Sequence, residues 1–202
     1  MKTSLLTLAT IFTIALGTIT SANASTTKND NSEVSTTLTN VSKINKIEIY
    51  GNVELFISDG AADQVKVYNK YYAESALVQS KDGVLRISSY TAKKLVVWVT
   101  AADLRAITAN DNAEVKSFGN LSEIDLDVTL NNNASAKLNL DAYKANITVN
   151  DRAKADLSGN VTDFSITHDQ SATVNQTNMV AATTSKNITN VTKVNQSELA
   201  VL

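Results

Sequence analysis

From Ile44 onward, apolar residues fall on alternate positions. Ile47 and Ile49 are spaced by charged or polar neighbours, and so are Val53, Leu55 and Ile57. The same spacing returns in Val65 and Val67, in Leu85 and Ile87, and in Val97 and Val99. Successive side chains of a strand point to opposite faces, so this pattern predicts strands with one buried side. The runs are rich in Val, Ile, Thr and Tyr, the residues that suit a pleated surface. Gly51-Asn52, Asp59-Gly60 and Asp82-Gly83 separate them with turn chemistry. A helix is expected only over the short segment Tyr71 to Leu77.

The second half repeats. Ile107-Thr108-Ala109-Asn110-Asp111-Asn112-Ala113 is followed by Val128-Thr129-Leu130-Asn131-Asn132-Asn133-Ala134. Two more copies are Ile147-Thr148-Val149-Asn150-Asp151-Arg152-Ala153 and Ile166-Thr167-His168-Asp169-Gln170-Ser171-Ala172. A fixed period of about 20 residues is the mark of a β-solenoid, in which a repeat buries its apolar face only by stacking on its neighbours. Stacked parallel strands lie about 4.8 Å apart, so equivalent residues should form columns. Ile107, Val128, Ile147 and Ile166 should line the interior, and Ala113, Ala134, Ala153 and Ala172 should mark a tight place. Asn110, Asn131, Asn150 and Asp169 should sit at a corner, where Asn and Asp tolerate left-handed backbone. After Ala182 the repeat fades into a last imperfect copy.

The first residues belong to a different pattern. Lys2 precedes an apolar stretch from Leu5 to Ile19, and Ala22-Asn23-Ala24 follows. These features predict a signal peptide over residues 1–24, cut between Ala24 and Ser25, and hence export. The stretch is diluted by Thr7, Thr10, Thr13 and Thr18 and falls short of the roughly 20 apolar residues that a span requires. Residues 25–42 are rich in Ser, Thr and Asn and read as a flexible polar leader. Residues 43–202 are then the single β-solenoid domain. The chain has no cysteine, which excludes disulfides, a thiol nucleophile and a lipid-bearing N-terminal cysteine. A net charge of -2 without basic clusters gives no footprint for nucleic acid.

The run Ile44 to Ile57, two strands about Gly51-Asn52, resembles the opening motif of the bacterial "putative auto-transporter adhesin, head GIN domain" family. Gly83-Val84-Leu85-Arg86-Ile87, and Val97-Trp98-Val99-Thr100 through Leu104 to Ile107, are similar to the same pattern. The likeness extends over Ile44 to Val180. Where the family has Gly-Ser-Gly turns, this chain has Asp111-Asn112-Ala113, Asn132-Asn133-Ala134 and Asp151-Arg152-Ala153. The resemblance implies a right-handed parallel β-helix, export and an adhesive role, and it brings no catalytic residues.

The candidate chemistry is sparse. His168 is the only histidine, so any histidine-based triad must use it, and a multi-histidine zinc site is excluded. It stands at the variable site of its repeat, with no partner motif. Asp111, Asn132, Asp151 and Gln170 fall once per repeat and should line one corner. Two aspartates there form a candidate Ca²⁺ site, against the plainer reading of solvated turns. Tyr68, Tyr71 and Tyr72 form an aromatic cluster that could stack on sugars or pack at an edge. Trp98 could belong to core or surface. The resemblance, together with this lack of catalytic groups, implies a non-catalytic adhesin-like or cell-envelope protein whose partner is a glycan or a surface protein. Two alternatives are a polysaccharide-active β-helix enzyme using Asp151 with Arg152 or Lys154, and a periplasmic structural protein. For the enzyme, strand alternation sends Asp151 and Arg152 to opposite faces unless a turn reorients them.

Overall fold

A computed structural model of the chain describes residues 35–38, 41, 43–68 and 76–189. The signal segment, most of the polar leader, Tyr71 and Tyr72, and residues 71–75 of the expected helix lie outside these. Every regular element among the described residues is a strand, and no helix is long and apolar enough to cross a membrane.

Six strands make the first part: β1 (Ser35–Leu38), β2 (Lys46–Gly51), β3 (Val53–Asp59), β4 (Gln64–Tyr68), β5 (Ala76–Lys81) and β6 (Val84–Ser89). Then come β7 (Leu95–Ala101), β8 (Ala106–Ala109), β9 (Glu114–Ser117), β10 (Leu121–Leu130), β11 (Ser135–Val149), β12 (Lys154–Asp169) and β13 (Thr173–Thr189). All belong to one 13-stranded sheet, which is open and strongly curled. Leu77 lies in β5, so the end of the expected helix is strand. It pairs across the sheet with Ser88, a long-range partner that local sequence does not announce. Ser35–Leu38, inside the tract read as a leader, form β1 because β4 offers them an unpaired edge.

The repeats pair in parallel. Leu121 lies opposite Leu140, Ser135 opposite Lys154, and Lys154 opposite Thr173. The interior column extends in both directions beyond the four expected residues. It runs Leu85, Ile47, Ile107, Val128, Ile147 and Ile166, and ends at Lys186. All six apolar members are essentially fully buried, whereas Lys186 is exposed. Alternation therefore fixes which residues form the core, and from Ile107 onward the repeat period fixes which of them touch.

The order of the first repeats follows another rule. β2 lies between β6 and β8, and β3 lies between β7 and β9. The chain thus lays its central repeat first, adds residues 84–101 on one side, and then adds residues 106–117 on the other. Gly51 makes this close fit possible. It has φ +80°, and a Cβ there would stand 2.2 Å from the Ser89 carbonyl oxygen. On the outer side, β4 covers β7, β1 covers β4, and β5 covers β6, all antiparallel.

Candidate functional site

Each repeat turns a corner through four residues. The N–H of Ala113 donates to the carbonyl of Asn110 at 3.2 Å, and Ala134 and Ala153 donate to Asn131 and Asn150 at 3.1 Å. The first residue of each turn forms a side-chain ladder. Asn131 Nδ2 donates to Asn110 Oδ1 at 2.8 Å, and Asn150 Nδ2 donates to Asn131 Oδ1 at 2.7 Å. The left-handed residue is the second one, contrary to the expectation for Asn110, Asn131, Asn150 and Asp169. Positive φ falls on Asp111 (62°), Asn132 (61°) and Asp151 (56°). Parallel pairing keeps the first residue extended, so its amide can reach the repeat below. The reversal is left to the next residue, where Asp and Asn tolerate it.

Asp111, Asn132, Asp151 and Gln170 share one corner, as the spacing predicts. With Asn112, Asn133, Arg152 and Ser171 they line an open groove of about 840 Å³. Asp151 and Arg152 both face it, because the left-handed turn removes strand alternation. The carboxylates are already engaged. Asp111 accepts from Asn132 Nδ2 at 3.2 Å and from the Gly51 N–H at 3.2 Å. Asp151 accepts from the Asn132 N–H at 3.0 Å, and Asp169 accepts from the Asp151 N–H at 2.7 Å. Among the described residues no three His, Cys, Asp or Glu side chains are grouped to hold a metal ion. The groove is thus a polar surface braced by its own hydrogen bonds.

His168 lies opposite Val149, in an interior column. Its Nδ1 is 2.8 Å from the Asp169 carbonyl oxygen, and its Nε2 is buried without a hydrogen-bond partner. The ring is therefore turned into the fold.

A second surface gathers aromatic rings. Phe56, Trp98 and Tyr68 take the outward phase of β3, β7 and β4. Phe56 lies opposite Trp98 with ring centroids 4.7 Å apart and planes at 21°. Tyr68 meets Trp98 edge-on at 6.4 Å, and Phe118 meets it at 5.4 Å and 57°. Phe118 is 65% exposed. Of the three tyrosines singled out in the sequence, the described residues contain only Tyr68, and its neighbours are distant in sequence. The missed signal was phase: Phe56 and Trp98 occupy positions that alternation assigns to polar residues.

Ion pairs border this surface. Lys116 Nζ lies 2.5 Å from Glu54 and 3.4 Å from Glu114, and Lys94 Nζ lies 2.5 Å from Glu114. Lys94 is the main cause that holds the Glu114 carboxyl below its usual range. At another corner Asp103 pairs with Lys43 at 2.9 Å and Arg105 at 3.0 Å. Nearby, Glu123 is pushed up to about 7, first by burial, then by the carboxylates of Asp59 and Asp103.

The family model described as "Putative auto-transporter adhesin, head GIN domain" matches residues 43–196. A search of curated proteins found no match. Solved structures share the fold. One is a "putative adhesin" from Bacteroides fragilis NCTC 9343, 13% identical with a TM-score of 0.50, covering 78% of this chain and 96% of that one. A "putative adhesin" from Parabacteroides distasonis ATCC 8503 is 17% identical, with a TM-score of 0.55 and 78% of each chain covered. A "putative lipid binding protein" from the same organism is 9% identical, with a TM-score of 0.54, covering 77% of this chain and 78% of that one.

Proposed function

Since the chain belongs to the auto-transporter adhesin head GIN domain family, we propose that it is an exported, non-catalytic, adhesin-like protein. Its scaffold is a right-handed parallel β-helix, and it works by holding side-chain rows rigidly toward a glycan or a surface protein. One observation carries this reading: outward side chains are tied to one another at the repeat offset. Besides the Asn110 ladder, Asn139 Nδ2 donates to Asn120, Asn146 Nδ2 to Asp127, and Asn175 Nδ2 to Asp156. Such cross-repeat bonds remove side-chain freedom before a ligand arrives, which lowers the entropic cost of binding.

The alternative of a polysaccharide-active enzyme draws on the groove, where Asp151 and Arg152 lie together. Its weakness is that the carboxylates there, Asp111, Asp151 and Asp169, each already accept a backbone N–H, so none stands as a free acid. The test is a glycan-array screen of the purified protein with and without Ca²⁺, run beside an assay for released reducing ends. Selective binding without release is the expected result. Calcium-dependent binding would place the contact at the Asp111–Asp151 groove. Release that is lost in Asp151→Ala would establish the enzyme instead.

A further inference from the structure

The two halves of β13 differ in cover. Ala172, just before the strand, and Val174, Gln176, Met179 and Ala181 within it are half-buried, whereas every residue from 182 to 189 is exposed. One repeat below, Ala155 and Val161 lie opposite Val174 and Ala181 and are only 3% and 4% exposed. The first half of β13 therefore packs on the core like an inner coil but lacks a strand above it. Within it the Oε1 atom of Gln176 is buried without a hydrogen-bond partner.

The chain itself supplies a match. By their far end β12 and β13 pair at an offset of 20, with Asp169 opposite Thr189. Carried onward, the same offset aligns Val174-Asn175-Gln176-Thr177 with Val194-Asn195-Gln196-Ser197. Leu199 then aligns with Met179 and Val201 with Ala181. The charged Lys193 and Glu198 align with Thr173 and Asn178, which are exposed. The irregularity is repeated as well. β13 shifts register where Asn175 Oδ1 accepts from the N–H of Thr177 at 3.1 Å and from its hydroxyl at 2.8 Å. Asn195 and Ser197 keep that acceptor and that hydroxyl.

We propose that the open edge of β13 is the docking site of the chain's own residues 192–202, which pair with residues 172–182 in parallel as half of a further coil. In that register Gln196 Nε2 donates to the orphan Gln176 Oε1. The same direction is used one repeat apart by Asn131 toward Asn110 and by Asn150 toward Asn131. A buried acceptor is costly without a partner, so this bond favours one register over its neighbours. The occupant is this segment and not a second copy of the chain, because residues 190 and 191 tether it beside the edge. The tether gives it an effective concentration that a separate chain does not reach. At this offset the segment covers the half-buried part of β13 and leaves Lys186 open. The inference goes beyond the adhesin reading: it assigns a cover to backbone groups that would otherwise template pairing with foreign strands.

The chain has no cysteine, so introduced pairs report the register directly. Thr173→Cys combined with Lys193→Cys should form an intramolecular disulfide under mild oxidation. Directly opposed residues of neighbouring strands lie within the about 4.4–6.8 Å between Cα atoms that a disulfide spans. Thr173→Cys combined with Asn195→Cys is out of register and should oxidise about tenfold more slowly. In the unsubstituted chain, hydrogen exchange should show residues 194–201 protected together with 173–181. Leu199→Asp should release both segments and leave β10 and β11 protected, which separates loss of the cover from loss of the fold. Equal oxidation of the two cysteine pairs, or exchange of residues 194–201 at the rate of an unfolded chain, overturns the proposal. A disulfide that joins two chains and rises with protein concentration also overturns it, in favour of a strand exchanged between copies.

Discussion

The two ends of the stack solve the same problem by opposite means. At the end nearer the N-terminus, the repeat formed by β6 and β7 is covered by antiparallel strands, and the cover is apolar where it meets the core. Val65 and Val67 of β4 are fully buried. At the other end β13 is the last described strand and pairs only with β12. Val174, Met179 and Ala181 of β13 still pack against the core, but further along the strand its side of the interior columns loses its cover. Lys186 follows Ile166, Thr184 follows Phe164, and Ile188 lies 52% exposed opposite His168. A sheet edge is a template for unwanted pairing, and inward-facing charge is one known way to blunt it. Among the described residues, one end is therefore covered by paired strands, while the other carries an exposed lysine at the end of an interior column. The lesson is that a residue's place in the stack, more than its place in the repeat, decides whether a charge is tolerated.

The comparison breaks most sharply if the end's lysine is moved inward. Ile147→Lys puts a charge into a fully buried site of the same column. It should cost about 4 kcal/mol or more and in practice unfold the chain, as read by urea denaturation. A native-like midpoint would show that the column is not a packed interior. Next in size is Gly159→Ala. Gly159 has φ +109°, and an added Cβ would lie 2.0 Å from the Leu140 carbonyl oxygen. A loss of about 2–3 kcal/mol is expected. It should appear first as faster amide exchange in β12 and β13, if that end opens before the covered one.

Val67→Ala probes the covered end. Losing part of a buried valine there should cost about 1–2 kcal/mol. Exchange should then rise in β4 and β7 while β12 stays protected. Lys186→Ile has little stability to lose, since the site is exposed. It should instead allow the polar end to pair with another copy, seen as a concentration-dependent dimer in sedimentation velocity. A strictly monomeric variant would show that Lys186 does not guard this end.

The smallest effect is expected with pH. Glu123 is held at about 7 against an ordinary 4.5. The folded chain therefore keeps this proton more tightly than the unfolded one. Its contribution is complete below 4.5 and is lost as pH rises toward 7. Glu123→Gln should match the native chain in acid and exceed it slightly above neutrality. Partial exposure and screening keep the gain to a fraction of a kcal/mol. Thermal melts on both sides of that window measure it, and equal slopes for the two chains would refute it.

Family membership was legible in residues 44–57 together with the later strands, since the strand–Gly51-Asn52–strand motif is local. The corner groove was also legible, because Asp111, Asn132 and Asp151 recur at the period that brings them together. The aromatic surface was not. Sequence proximity groups Tyr68 with Tyr71 and Tyr72, but its ring partners are Trp98 and, through it, Phe56 and Phe118. Alternation marks Phe56 and Trp98 as outward but does not say that their strands are neighbours.

The sequence by itself determined what is set by local stereochemistry and short-range repetition. The face each strand residue takes follows from a period of two. The columns of the second half follow from repeats 19 to 21 residues apart, which leave few other registers that bury Val128 on Ile147. Tertiary structure alone decided that residues 46–59 sit between later repeats, that antiparallel strands close one end, and that four aromatic rings from four separate segments share one face. Those pairings join residues tens of positions apart, and the backbone hydrogen bonds that make them are the same for any strand. Nothing in the local sequence distinguishes one such partner from another. The choice is made only when the whole set of apolar faces is buried at once.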